Sequence, residues 1–294
     1  MMRALRGMGL AGLIGLAGCG KPNDANTDAP PSAPPAAIPG SGTPLPDITP
    51  PKDTPYTPKD LSPVPGVRLD VPFADVATTT AYPGSTAAPV TTMTGESTAK
   101  IQAAVREVWP TIKITDEAGN PSPIVVAVET EAGPVELTLF PDLAPNHVRN
   151  FLALVQIGYY NGLSFERIIK VDYEAEGGAK KKLEVLTAGC PVGDGESAHG
   201  HLGYFLKPES RSLTHEEGTL GFVCEKDADS ACCRLYFCMT PATVMDGEFT
   251  GFGRVTRGMD VLKSIATRSV KKPDTYPENE QFQIPAKIKS MTRK

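Results

Sequence analysis

The chain has no surplus of basic charge: 29 lysines and arginines stand against 34 aspartates and glutamates, for a formal net charge of -5. With no basic stripe to offset that balance, the composition argues against a nucleic-acid partner. Histidine is scarce, with four in 294 residues. Two of them form His199-Gly200-His201, but the stretch reads as glycine-rich loop rather than as a helix that would space metal ligands, so no metal site is expected. Long apolar runs are missing too. The opening MMRALRGMGLAGLIGLAGCG has an apolar core, Leu10 to Leu16, too short to span a bilayer as a stable helix. With Arg3 and Arg6 before it and small residues after it, it reads as a secretion signal. From Lys21 to about Glu96 large apolar residues are few, and most of the 29 prolines fall there. Such a segment cannot bury enough surface to offset its ordering entropy, so residues 19–96 read as a disordered tether.

The signal closes on Leu16-Ala17-Gly18-Cys19. This tetrad resembles the bacterial lipobox, which implies that residues 1–18 are removed and that Cys19 becomes a lipid-bearing N-terminus. Several acyl chains, at about 0.8 kcal/mol per buried methylene, make such an anchor effectively permanent. The resemblance therefore implies a bacterial cell-envelope protein held to its membrane by lipid, with its folded part in the periplasm or at the cell exterior.

Residues 97–122 read as a helical strap and lead-in. Ser97 caps a helix through Trp109 with Ile101, Val105 and Val108 on one face, and Pro110 ends it. After Pro123 the pattern turns to two-residue alternation. Ile124 to Glu131 and Val135 to Phe140 flank a Gly133-Pro134 turn as a hairpin. Pro145 occupies a first helical position, and Val148, Phe151, Leu152 and Val155 recur with helical spacing until Gly158. Further strands are read at Leu163 to Val171, Leu183 to Ala188, Thr219 to Cys224, Leu235 to Met239, Gly251 to Val255 and Ala286 to Met291. A second helix follows Gly258 with Val261, Leu262 and Ile265 inward, and Lys170 to Leu183 reads as a charged, solvated hairpin turning at Gly177-Gly178. Many short antiparallel strands with two helices suggest an all-β closed barrel plugged at its ends, spanning residues 123–294.

Within this half, GLSFERII (Gly162 to Ile169) sets an acid and a base inside an apolar run. Strict alternation puts Ser164, Glu166 and Ile168 on one face and Phe165, Arg167 and Ile169 on the other, the apolar one. Two readings are open from the octapeptide alone. Either this is an edge strand whose Arg167 snorkels to water beside a carboxylate, or a cation is set above an apolar cleft.

Leu139 to Pro145, Asn150-Phe151-Leu152, Gly158-Tyr159-Tyr160, Phe165 to Ile169, Leu213 to Leu220, Asp246-Gly247 and Phe252 to Val255 occur in the order seen in cyclophilins. The resemblance covers about Ile124 to Met291. It implies an eight-stranded antiparallel closed β-barrel with two capping helices. It also implies peptidyl-prolyl cis-trans isomerase activity on proline-containing polypeptide clients, with no cofactor and a monomeric domain. Arg167 matches the catalytic arginine of the family. The groove would be lined by Val185, Thr187, Arg234, Tyr236, Val244, Met245 and Phe249, several of which depart from the usual residues. Thr187 and Arg234 stand for glutamines, Tyr236 for the pocket-floor phenylalanine, and Glu166 for the histidine before the arginine. Glu166 is read either as a brace for Arg167 or as a solvent-facing residue. These departures leave open a second reading, a proline-peptide-binding chaperone or scaffold with little or no catalysis.

Besides Cys19 there are Cys190, Cys224, Cys232, Cys233 and Cys238. Antiparallel pairing of the strands at Thr219 to Cys224 and Leu235 to Met239 brings Cys224 opposite Cys232 or Cys233. A Cys224–Cys233 disulfide is the favoured pairing, with Cys190–Cys232 and five reduced thiols as the alternatives. The lipobox carries its own test: metabolic labelling with palmitate marks the wild type and leaves Cys19→Ser unlabelled, and equal labelling of both removes the anchor.

Overall fold

The computed structural model describes residues 69–294 except 83, 175–177, 197, 210–211, 225–229 and 272–278. The expected secretion signal, Cys19 and the expected tether up to residue 68 lie outside the described residues. Among those described, no helix is long and apolar enough to cross a membrane.

Nine strands form one antiparallel sheet: β2 (Ile124–Thr130), β3 (Pro134–Leu139), β4 (Phe165–Glu174), β5 (Lys180–Ala188), β7 (Thr219–Phe222), β8 (Leu235–Cys238), β9 (Gly251–Arg257), β10 (Asn279–Gln281) and β11 (Ile288–Arg293). Their order across the sheet is β10-β4-β5-β8-β7-β9-β3-β2-β11. A separate pair joins β1 (Ala77–Thr78) to β6 (Phe205–Leu206). The described helices of a full turn or more are α1 (Phe73–Val76), α2 (Thr98–Val108), α3 (Pro145–Gln156) and α4 (Met259–Ala266).

The expected closed eight-stranded barrel is corrected here to an open, curled sheet of nine strands. Its two ends are joined only over a short stretch, where the Gly162 N–H donates to the Ile288 carbonyl and the Ile288 N–H to the Leu163 carbonyl, each at 2.8 Å. The Ser164–Lys287 bridge and the Phe165 N–H to Ala286 carbonyl bond, 2.8 Å, join the chain entering β4 to the chain entering β11. Beyond that point β10, which sequence periodicity had not indicated, occupies the outer edge of β4 at residues 167 to 169, so β11 cannot continue the ladder. The expected charged hairpin is present as longer strands. Lys170, Asp172 and Glu174 of β4 stand directly opposite Glu184, Lys182 and Lys180 of β5. Three opposite-charge cross-strand pairs line one face of this extension, while Leu183 and the partly buried Val171 and Tyr173 on its other face pack into an apolar cluster.

The main core lies between the concave side of the sheet and α3. Pro145 opens that helix, and Val148, Phe151 and Leu152 are buried on its inner face. Phe151 and Phe222 stack against Phe252 with ring centroids 5.7 and 4.7 Å apart. One buried polar group in this core is fully matched: Asn150 donates to the Cys232 carbonyl at 2.7 Å and accepts from the Tyr204 hydroxyl at 2.8 Å.

The described residues of the stretch 69–96, expected within the tether, instead pack on the domain. Trp109, which follows α2, is 3% exposed and donates from its indole nitrogen to the Val71 carbonyl at 2.9 Å. Phe73 meets it edge-on at 5.1 Å, and the Arg149 guanidinium lies 5.4 Å from the ring centre. Arg149 also donates to the carbonyls of Leu69 and Val71. Composition alone misses this because the ordering comes from a few contacts to distant residues rather than from local apolar content. Trp109→Ala should lower unfolding stability in urea by about 3 to 5 kcal/mol and open the segment around Phe73 to proteolysis. Unchanged stability and protection would show that the lead-in is not part of the folded unit.

Candidate active site

The site is organised by a β-bulge. Phe165 pairs with Ala188, but Arg167 pairs with Thr187, so two residues of β4, Phe165 and Glu166, answer to one of β5. The bulge overturns the strict alternation read from GLSFERII. Phe165 and Ile168 both enter the main core, while Ile169 joins a second apolar cluster on the other face. Arg167, two residues before Ile169, is carried to that second face. Of the two readings of this arginine, the edge-strand one fails, since β4 lies between β5 and β10. Its pairing with a carboxylate, however, is real.

The second cluster holds Ile169, Leu183, Val185, Val223, Tyr236, Cys238, Ala242, Met245 and Phe249, with Val244 partly buried against it. Five residues expected in the groove, Val185, Tyr236, Val244, Met245 and Phe249, are thus brought together. The ladder explains how: Arg167 pairs with Thr187, Thr187 with Tyr236, and Tyr236 with Gly221. At the usual strand spacing this row places the backbone of Arg167 about 10 Å from that of Tyr236. Gly221 is required at the end of the row, because a Cβ there would lie 2.3 Å from the Tyr236 hydroxyl oxygen.

Tyr236 is more than a ring. Its hydroxyl lies 2.8 Å from His215 Nε2, and His215 Nδ1 lies 3.0 Å from Asp246 Oδ1. The Asp246 carboxylate also accepts the His215 amide at 2.7 Å. It therefore fixes the imidazole proton on Nδ1, which leaves Nε2 to accept from the tyrosine hydroxyl. Burial pushes the His215 pKa down against the pull of Asp246, so the neutral ring is favoured. The residue matched to the pocket floor is thereby locked in place from behind. No sequence signal marked His215 for this role.

Arg167 is 7% exposed and is held by the loop after β5. Its Nε–H donates to the Asp194 carbonyl at 2.7 Å, and its Nη2 pairs with the Glu196 carboxylate. The Asp194 carboxylate accepts from the Glu196 amide at 2.9 Å and lies 2.8 Å from His199 Nε2. The His199-Gly200-His201 stretch is thus used structurally, and among the described residues no cluster of ligands fit for a metal occurs. Glycines make the loop's approach feasible. Gly195, at φ +72°, would bring a Cβ within 2.8 Å of Arg167 Cδ and of Glu166 Cγ; at Gly200 a Cβ would come within 2.6 Å of Arg234 Cδ. The loop thus approaches Arg167 with Gly195, between Asp194 and Glu196, and Arg234 with Gly200.

Three of the expected site residues take different positions from those a reaching polar rim would need. Thr187 is fully buried, and its hydroxyl makes no hydrogen bond among the described residues. Arg234 is 5% exposed, with its Nε 3.9 Å from Glu166. Glu166 is not solvent-facing, since it is 0% exposed. Cys224 and Cys233 are separate thiols, so the expected disulfide is absent from the structure. Continuing the Phe222–Leu235 register does bring positions 224 and 233 opposite, but Cys233 turns its sulfur towards the Gly200 carbonyl, 3.7 Å away, and is fully buried. Cys190, Cys232 and Cys238 are also free and buried.

Comparison with known proteins identifies the family. The family described as "Cyclophilin type peptidyl-prolyl cis-trans isomerase/CLD" matches residues 125–293. A peptidyl-prolyl cis-trans isomerase of Arabidopsis thaliana is 30% identical over 156 residues, 52% of this chain and 88% of that protein. Peptidyl-prolyl cis-trans isomerase B of Bacillus subtilis is 31% identical over 140 residues, 47% of this chain and 87% of that one. One from Rhizopus delemar is 32% identical over 146 residues, 49% of this chain, and the match spans only 21% of that longer protein. The chain belongs to the cyclophilin-type peptidyl-prolyl cis-trans isomerase family.

Proposed function

We propose that this chain catalyses cis-trans isomerisation of X-Pro bonds in polypeptides of the bacterial cell envelope. The observation that carries the reading is the placement of Arg167 in one cross-strand row with Tyr236, beside an apolar cluster. Rotation about an X-Pro bond is slow because amide resonance must be broken, a barrier of roughly 18 to 20 kcal/mol. No covalent bond is made or cut, so neither a nucleophile nor a cofactor is needed. What lowers the barrier is a donor aimed at the prolyl nitrogen as its lone pair becomes available in the twisted state. A guanidinium stays charged throughout and presents donors in a rigid fork. The Asp194 carbonyl and the Glu196 carboxylate hold that fork still, so little reorganisation is required at the moment of rotation. The apolar residues around Tyr236 suit a proline ring.

The envelope location is supported by the signal-like start, the lipobox-like Leu16-Ala17-Gly18-Cys19 and the proline-rich segment that follows it. A tether of that composition lets the domain reach polypeptides emerging near the membrane as a lipid-anchored folding enzyme. Arg167→Ala should lower kcat/KM on a proline-containing peptide by at least about tenfold, equal to losing roughly 1.4 kcal/mol of transition-state stabilisation. Circular dichroism should show the fold retained. An active enzyme indifferent to this substitution would remove Arg167 from the mechanism, and a wild-type chain with no isomerase activity would leave a peptide-binding module.

A further inference from the structure

Glu166 is a buried charge that the mechanism above does not use. Both its oxygens are shut off from solvent and neither makes a hydrogen bond among the described residues. A carboxylate taken out of water without donors is costly unless cations stand beside it. Two do. Arg167 is its chain neighbour, and Arg234, on the segment entering β8, brings Nε to 3.9 Å. The bulge is what puts consecutive residues of one strand, a carboxyl and the guanidinium matched to the family's catalytic arginine, both under cover. Gly195 packs over both side chains so closely that a Cβ there would lie 2.8 Å from Glu166 Cγ and from Arg167 Cδ and Nε. A shift of either side chain is therefore felt by the other.

We infer that Glu166 is a positioning residue for Arg167: its negative charge holds the guanidiniums of Arg167 and Arg234 together under the loop, and neutralising it lets the two cations repel and slows isomerisation. The inference rests on the isomerase reading. The titratable and charged groups around Glu166 are Arg167 from β4, Arg234 from the segment before β8, Tyr160 from the turn after α3 and, from the loop after β5, Cys190 with Asp194 beside it and Glu196 against Arg167. Burial, with Glu166 as a further cause, pushes the Cys190 thiol up to about 12 and the Tyr160 hydroxyl well above its usual range. Glu166 itself is raised by burial from its ordinary 4.5 to about 7, against the opposing pull of Arg234, the amides of Glu166 and Cys190, and Arg167. Of Glu166, Cys190 and Tyr160, Glu166 is the one that changes charge near neutral pH. His199 lies on the far side of the loop against Asp194, and substitution of Glu166 separates the two.

The sign of the effect on stability follows. The folded-state value lies above the unfolded one, so this group favours folding most below about pH 4.5, and that contribution declines as pH rises to about 7. Ionisation is thus the less stable but, by this inference, the more active state. The test compares wild type with Glu166→Gln in a protease-free, NMR-exchange assay on a proline peptide from about pH 5.5 to about pH 9. Wild-type kcat/KM should rise about tenfold through a midpoint near neutrality, while Glu166→Gln should stay low and flat across that range. A variant that keeps the wild-type profile overturns the inference. A second reading needs neither the variant nor turnover. In the wild type the Arg167 Nε resonance should titrate in step with the Glu166 carboxyl carbon, and an Arg167 signal that ignores Glu166 overturns the inference. If the two resonances move together in a chain that turns over no proline peptide, the isomerase reading falls while the coupling of Glu166 to Arg167 stands.

Discussion

The one-residue bulge in β4 is the constraint on which the site depends. Without it Phe165 and Arg167 would share a face, and either the phenylalanine would leave the main core or the arginine would enter it. With it, Phe165 and Ile168 fill the core beneath α3 while Arg167 and Ile169 turn to the second cluster. The same slip sends Glu166 into the interior. Everything that follows along the row, from Thr187 to Tyr236 to Gly221, takes its position from the register that resumes after the bulge.

That arrangement has an energetic cost concentrated in a small volume. Glu166 and Thr187 are buried without hydrogen bonds among the described residues, and one oxygen of Glu196 shares that condition. A fold selected for stability alone would replace such groups with apolar ones of similar shape, often with a gain. Their clustering around a single guanidinium is instead what a preorganised electrostatic site demands, because donors and charges fixed in a dry environment act more strongly than in water. The loop from Gly189 to Gly203 completes this by covering both arginines, using glycine where a side chain would collide. On the opposite wall, Tyr236, His215 and Asp246 form a second fixed chain that braces the pocket floor.

The domain is also larger at its N-terminal side than its sheet. Arg149 from α3 reaches back to the carbonyls of Leu69 and Val71, and Trp109 is clamped between Arg149 and Phe73. These contacts make the described residues from Leu69 onward part of the packed domain.

Much of the fold was legible in the amino-acid order because it rests on local periodicity. The two-residue alternation of Ile124 to Thr130, the helical spacing of Val148, Phe151, Leu152 and Val155, and the glycines that stop elements all carry their meaning within a few residues. That Val185, Tyr236, Val244, Met245 and Phe249 fall in one apolar cluster was legible in another way, through short motifs matched to a family. What the order of residues could not decide is anything set by register between distant strands. The bulge at Glu166, the extra strand at Asn279–Gln281 that keeps the sheet open, and the burial of Thr187 are of this kind. So are the turning of Cys233 away from Cys224 and the meeting of Arg167 with Glu196. Each depends on which side chains arrive from elsewhere in the chain to fill or vacate a few ångströms, and only the packed tertiary structure settles that competition for space and charge.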